Sequence, residues 1–329
     1  MAHSKQVKKI LFITSNRLGD AVLSTGLYEA MHYAYPEAKI SVACGPLAVS
    51  IFEGFPNLGQ IYSLKKQKHA GHWFKLWRQV IGTKWDIVVD LRNSFVSRMI
   101  LAKQRHIYGP HIGKTRHKVE QNAQVMRLNN LTAPKIYHTP PQLKKAEEIM
   151  PKDKVVIGVG PAANWRGKTW PKERFIEVIQ HLTKADGVFP DAHVAVFAAP
   201  GEEETSRPVL SSVPKERQID GIAKGTPGEV AAMISKCDIY IGNDSGLMHS
   251  AAACGVPTVG LFGPSYPELY APWGDHTVYA RTPETFDELI DYEGYTPQSA
   301  QCLMTSLKTS TVIDTIERFW AQYAKIKSI

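Results

Sequence analysis

Asp238-Ile239-Tyr240-Ile241-Gly242-Asn243-Asp244-Ser245-Gly246-Leu247-Met248-His249-Ser250-Ala251-Ala252-Ala253 holds three kinds of local signal in succession. Residues 238–241 form a short apolar run of β-prone type, predicted as a buried strand. Residues 242–246 are small and polar and read as a tight turn; residues 247–253 read as a helix whose small side chains allow close packing. Gly255 stops that helix, and 257–262 supplies a second apolar strand. A crossover of this length makes the two strands parallel. The turn then lies at the carboxyl end of a strand and the amino end of a helix, where free N–H groups and the helix dipole seat a phosphate or diphosphate. A plainer reading stands beside this one: Asp244 or Ser245 as an N-cap and His249 as a packed histidine.

Outward from this unit, strands alternate with helices in both directions. The first half gives a strand at 8–13, a turn at 15–20, a helix from about 21 to 35, and strands at 40–43 and 85–91. A basic stretch at 103–118 reads as a loop. The segment 134–151, bracketed by prolines, reads as an interdomain connection with a short helix. The second half restarts: strand 155–159, helix 172–182, strand 193–198, helix 202–210, strand 217–220, helix 227–235, then the quoted unit, and a terminal amphipathic helix at 314–325. Two runs of this kind predict two doubly wound α/β domains.

The chain has 329 residues, 43% hydrophobic and 21% charged, the composition of an ordinary globular protein. Its longest charge-free run, 245–267, is broken by prolines and glycines and reads as core plus turns; residues 1–13 do not have the form of a signal peptide. The four cysteines are far apart, which fits a reducing cytoplasm. Charge is uneven: residues 1–150 carry 22 Lys/Arg against 9 Asp/Glu, residues 151–329 carry 17 against 22. The first half therefore meets something anionic: nucleic acid, a membrane surface or a phosphorylated lipid. No recognition motif accompanies the charge, which disfavours nucleic acid. Lys65 to Arg78 interleaves cations with Trp73, Phe74 and Trp77; an amphipathic helix with solvated lysines is the simpler reading, a membrane-contact element the other.

Gly160-Pro161-Ala162-Ala163-Asn164-Trp165-Arg166-Gly167-Lys168-Thr169 is not a P-loop, because six residues separate the glycines where four are needed. Nor does Pro161 permit the helix that a dinucleotide fingerprint requires. What remains is a loop after a strand carrying Arg166 and Lys168, either solvated charges or cations placed to hold a diphosphate. Glu202 follows the next strand and either favours a helix N-terminus or accepts from ribose hydroxyls. Asp20, just past the first strand, has the N-cap as its plain reading. No Asp-X-Asp, His-Glu-X-X-His or Gly-X-Ser-X-Gly motif occurs, which argues against a metal-chelating transferase, a zincin and an α/β-hydrolase.

Four spaced elements, Arg17-Leu18-Gly19-Asp20, Lys168-Thr169-Trp170-Pro171, Pro200-Gly201-Glu202 and Asp244-Ser245-Gly246 with His249, together resemble the bacterial heptosyltransferase family, glycosyltransferase family 9. The resemblance implies a GT-B architecture: two facing Rossmann-like domains, 1–150 and 151–310, and a C-terminal helix, 311–329, crossing back to the first. It implies inverting, metal-independent transfer of a sugar from a nucleotide-sugar donor, usually ADP-heptose, to lipopolysaccharide core or a related anionic glycolipid, with no cofactor. It places the enzyme in the cytoplasm, at the inner face of the membrane where it makes peripheral contact. By position, Asp20 matches the general base and Lys168 the cation on the donor diphosphate. Glu202 matches the nucleoside-binding acid, Asp244, Ser245, Gly246 and His249 the donor turn, and Gly19, Asn164, Arg166 and Gly225 further donor contacts. Ala163 and Asn164 stand where some members carry hydroxyl residues, so donor class is firmer than donor identity. A catalytically idle nucleotide-binding protein of the same fold is the alternative.

Overall fold

A computed structural model of the chain describes residues 7–292, 295–296 and 301–327. The chain divides into two compact units at Thr139/Pro140, with Thr226–Gly228 counted to the first. The first unit is a five-stranded parallel sheet of β1 (Lys9–Ile13), β2 (Lys39–Cys44), β3 (Leu58–Ser63), β4 (Trp85–Asp90) and β5 (Ala102–Ile107), in the order β3-β2-β1-β4-β5. The second is a six-stranded parallel sheet of β6 (Val156–Gly160), β7 (His193–Ala198), β8 (Gln218–Ile222), β9 (Ile239–Asn243), β10 (Thr258–Phe262) and β11 (Thr277–Arg281), in the order β11-β10-β9-β6-β7-β8. Counted within its own unit, the first sheet runs 3-2-1-4-5 and the second 3-2-1-4-5-6, the doubly wound order whose ligand crevice opens where strands 1 and 4 meet. Those meeting points are β1 beside β4 and β6 beside β9.

The same device pins both junctions. Asp86 Oδ2 accepts the backbone N–H groups of Lys8 and Lys9 at 2.8 and 3.0 Å, and Asp238 Oδ2 accepts that of Val156 at 2.8 Å. The registers Ile10 to Ile87 and Ile157 to Ile239 put the two aspartates at corresponding positions. Each closes the open end of its unit's first strand, where a backbone donor would otherwise lack a ladder partner. The central strands are buried on both faces, as helix-covered parallel strands must be.

Several expectations need correction. Residues 103–118 are not a loop throughout: β5 is a polar edge strand that forms by pairing with β4, and its sequence, Ala-Lys-Gln-Arg-His-Ile, shows no apolar face. The helix expected over 21–35 is two, Leu18–Leu23 and Thr25–Ala34. The Ser24 and Thr25 hydroxyls donate to the carbonyls of Ala21 and Val22, both at 2.7 Å, and such back-bonding bends a helix. The domain boundary falls before the helix Pro140–Ile149, not after it, because Ala146 and Met150 are buried in the second unit's core with Val156 and Phe197. The C-terminal helix, Thr309–Lys327, was expected on the first domain and belongs to the second unit. Its Val312, Ile316 and Phe319 enter the core that contains Trp170, Phe175 and Leu182, and His181 pairs with Glu317 at 2.9 Å.

Candidate functional site

At the β6/β9 junction, the quoted stretch folds as read. β9 ends at Asn243, and the helix Gly246–Ala253 begins after Ser245, whose hydroxyl accepts the Met248 N–H at 3.5 Å. Ser245 is thus the N-cap and Asp244 is not. That cap serves one first-turn donor; the N–H groups of Gly246 and Leu247 have no carbonyl partner within the helix. Asp244 is nearly buried. Its Oδ2 lies 3.0 Å from Lys168 Nζ, and its Oδ1 lies 3.7 Å from His249 Nε2, which reaches it from one turn into the helix. The structure therefore brings Lys168, Asp244, Ser245, Gly246 and His249 together at the carboxyl ends of β6 and β9.

Asn243 holds the loop that brings Lys168 there. Wholly buried, it donates through Nδ2 to the Pro161 carbonyl at 2.8 Å and accepts through Oδ1 from the Trp170 N–H at 3.2 Å. One side chain thereby clasps both ends of loop 161–170. Trp170, also fully buried, donates its indole N–H to the Leu307 carbonyl at 3.0 Å. Between these anchors a single helical turn, Arg166–Lys168, lifts Arg166 into solvent and turns Lys168 toward Asp244. Asn164 lies exposed on the same loop. The sequence puts Asn243 in the turn at 242–246 without assigning it a role; in the structure it ends β9, a place where asparagine is depleted.

Glu202 sits at the start of the helix Glu203–Ser211, after β7. Its carboxylate folds back to accept the Ala199 N–H at 2.8 Å. Burial, with Glu203 adding to it, pushes the Glu202 carboxyl above its ordinary value although the Ala199 hydrogen bond pulls the other way. A part-buried carboxylate on a strand end has acceptor capacity left for a hydroxyl ligand. Gly225, beyond β8, lies against the ion pair Lys145–Glu229, 3.1 Å long, and a Cβ there would sit 2.5 Å from Glu229 Oε2. Both atoms nearest that Cβ, Glu229 Oε2 and Lys145 Nζ, end flexible side chains that can give way, so the packing there does not by itself require a glycine.

In the first unit, Gly19 and Asp20 lie inside the helix Leu18–Leu23, and Arg17 occupies the N-cap position. Asp20 is therefore not the N-cap. Asp20 accepts from Ser15 Oγ at 3.4 Å, and Ser15 Oγ in turn accepts the Arg17 N–H at 3.1 Å. Lys118 was seen in the sequence only as one of a basic stretch. Burial lowers its ammonium below the usual lysine value, and the Asp20 carboxylate opposes that shift. Lys118 also donates to Gln121 Oε1 at 3.0 Å and lies 5.6 Å over the ring of Tyr108. Asp20 thus has a half-desolvated cation as its electrostatic neighbour.

The sequence model of glycosyltransferase family 9 (heptosyltransferase) matches residues 73–289. Lipopolysaccharide heptosyltransferase 2 of Salmonella typhimurium is 26% identical over 305 residues, covering 80% of this chain and 85% of that protein. Lipooligosaccharide heptosyltransferase 2 of Campylobacter jejuni is 26% identical over 277 residues, covering 80% and 84%. Among solved structures, a family 9 glycosyl transferase from Veillonella parvula superposes with a TM-score of 0.78 at 23% identity, covering 96% of this chain and 97% of that one. E. coli ADP-heptose lipopolysaccharide heptosyltransferase II superposes with 0.73 at 22%, covering 96% and 99%. Both share its fold of two Rossmann-like α/β domains, the GT-B type. The chain belongs to glycosyltransferase family 9, the heptosyltransferase family, and is a glycosyltransferase.

Proposed function

We propose that the protein transfers a heptose, with inversion and without a metal ion, from ADP-heptose to lipopolysaccharide core or a related anionic glycolipid at the cytoplasmic face of the membrane. The observation that carries the donor half is the convergence of Lys168, the Ser245 cap and the open N-terminus of the helix Gly246–Ala253 at the β6/β9 junction. A departing diphosphate needs neutralisation as charge builds on it, and an ammonium with aligned N–H groups supplies that in fixed positions. His249 orients Asp244, and Asp244 positions Lys168. Glu202 accepts from the ribose hydroxyls. Relatives named as heptosyltransferases, and the E. coli ADP-heptose heptosyltransferase II, support the choice of donor.

Inverting transfer also needs a base on the acceptor hydroxyl, and Asp20 takes that part. As a carboxylate it accepts the proton while the hydroxyl oxygen bonds to the anomeric carbon and the nucleoside diphosphate leaves with the electron pair of the broken C–O bond. Lys118 keeps Asp20 in a cationic field. Calorimetric titration with ADP, UDP and GDP in chelator tests the donor assignment, and mass spectrometry of a heptose-deficient core oligosaccharide after incubation with ADP-heptose tests transfer. Preference for ADP and a mass gain of one heptose are expected. Equal binding of all three nucleotides overturns the adenine assignment, and donor binding with no transfer or hydrolysis favours the idle nucleotide-binding alternative.

A further inference from the structure

The helix Gly71–Val80 buries one face and carries an exposed aromatic, Phe74, on its other, basic face. His72, Leu76 and Val80 point inward and are buried, with Trp73 and Trp77 packed beside them. Phe74, Arg78 and Ile81 fall at i, i+4 and i+7 on the water side, with the half-buried Trp77 at their edge. Phe74 is 55% exposed and stacks on Trp77 with ring centroids 5.4 Å apart. This face continues onto the next segment: Trp77 Nε1 donates to the Met99 carbonyl at 3.3 Å. There, Phe95 and Met99 stand one turn apart, joined by the Met99 N–H to Phe95 carbonyl bond. Met99 and the nearby Leu101 are 61% and 62% exposed. Single exposed apolar residues are ordinary, whereas a continuous run of aromatic and long aliphatic side chains marks a contact surface.

Charge decides what it contacts. Residues 54–119 contain 13 Lys/Arg and two acidic residues, Asp86 and Asp90. Both acids are buried: Asp86 is bound to Lys103 and the Lys8 and Lys9 amides, Asp90 to the Arg92 and Ser94 amides and the Ser94 hydroxyl. This stretch therefore presents cations to solvent without an exposed carboxylate, and Lys75, Arg78 and Arg98 are exposed among the apolar side chains. Aromatic and aliphatic groups interleaved with basic ones match the headgroup zone of an anionic bilayer, where the rings enter the acyl boundary and the cations meet phosphates. Among the described residues no helix is long and apolar enough to cross a membrane.

We propose that this face, with Phe74, Met99 and Leu101 as its apolar contacts and Lys75, Arg78 and Arg98 as its cations, docks the protein on an anionic phospholipid surface. The purpose rests on the glycolipid-acceptor reading, since a lipid-linked acceptor confines the reaction to that surface; the binding itself needs no acceptor.

The test is co-sedimentation of the full chain with phosphatidylcholine vesicles containing increasing phosphatidylglycerol, at low and high salt. Binding is expected to rise with phosphatidylglycerol and fall with salt, since surface cations contribute about fivefold each near an anionic bilayer and are screened beyond a Debye length of ~8 Å. Lys75→Glu with Arg78→Glu should cut binding by about 25-fold or more on the same scale. Phe74→Ser with Met99→Ser and Leu101→Ser should weaken it at least about tenfold at unchanged net charge, by removing the buried apolar area. Both variants are checked for an unchanged far-ultraviolet spectrum and unchanged nucleotide binding. Equal binding to neutral vesicles, or serine variants that bind as the parent does, overturns the proposal; so does a concentration-dependent dimer that the serine variants abolish, which assigns the face to a second copy. Transfer to a water-soluble core oligosaccharide separates the two readings: that assay contains no vesicles, so its failure counts against the donor or acceptor reading and leaves the vesicle result standing.

Discussion

Lys168 and Asp244, 76 residues apart in sequence, meet in an ion pair of 3.0 Å that ties the loop after β6 to the turn after β9. Lys168 is therefore already committed, and an arriving diphosphate shares it with Asp244. Lys168→Ala removes the cation and leaves the carboxylate unopposed beside the diphosphate. Nucleotide binding should weaken by about 1.5–3 kcal/mol, the range for a hydrogen bond to a charged group. Adding Asp244→Asn to that variant should recover part of the loss, because the uncompensated negative charge is then gone. Calorimetry on the two variants checks both statements; an unchanged dissociation constant in Lys168→Ala would return that lysine to a purely structural pairing.

Asn243 holds both ends of the loop that carries Lys168. Asn243→Ala strips partners from the Pro161 carbonyl and the Trp170 N–H, both clasped by a fully buried side chain. An unsatisfied buried group costs about 1–3 kcal/mol. The melting temperature should fall accordingly, and the KM for donor should rise more than kcat falls, since loop 161–170 loses its fixed ends. A loss of stability with normal donor KM would confine Asn243 to folding.

The interior of both sheets was legible in the sequence because strands buried on both faces must be continuous apolar runs, as at Ile10 to Ile13, Val156 to Val159 and Thr258 to Phe262. The strands that were not recognised, β3, β5 and β11, all lie at sheet edges. Water on one side lets Gln60, Lys103, Gln104 and Arg105 stand where an inner strand would need valine or isoleucine, so the pattern disappears while the pairing remains. The donor turn was legible for the opposite reason: Gly242 to Gly246 interrupts two apolar runs with the residue types a strand-to-helix turn needs. Long-range partners were not. Nothing local announces that Asn243 closes a loop beginning at Pro161, that Lys118 lies in the field of Asp20, or that the last helix packs on the unit it follows.

Asp86 predicts an acid-sensitive step in the stability of the first unit. Burial works to raise its pKa, but Lys103 and the two amide donors prevail and hold the folded value down to about 2. The unfolded value is the ordinary one near ~3.9, so the folded state binds fewer protons between the two. The stabilisation is present above about pH 4 and is lost as pH falls through about 2. Asp86→Asn should lower the melting temperature at neutral pH and flatten its fall between those limits. An acid limb superimposable on the parent's would show that other carboxylates govern it.

Asp20 carries the sharpest prediction. It stands in the first turn of the helix Leu18–Leu23 without capping it, and its side-chain hydrogen bond from Ser15, the one it has among the described residues, is long at 3.4 Å. Loss of its charge should therefore cost little in folding, on the order of the ~0.3–1 kcal/mol that a carboxylate gains near a helix N-terminus. Asp20→Asn preserves size and should leave nucleotide affinity unchanged. Turnover is another matter: an amide cannot take the acceptor's proton, and loss of a general base typically costs about 10²–10⁴-fold. A role confined to the helix terminus predicts the reverse, a small drop in melting temperature and near-normal turnover. Measuring turnover, melting temperature and ADP affinity on the asparagine variant separates the two outcomes. A normal rate would remove Asp20 from the chemistry and turn attention to the other groups around Lys118.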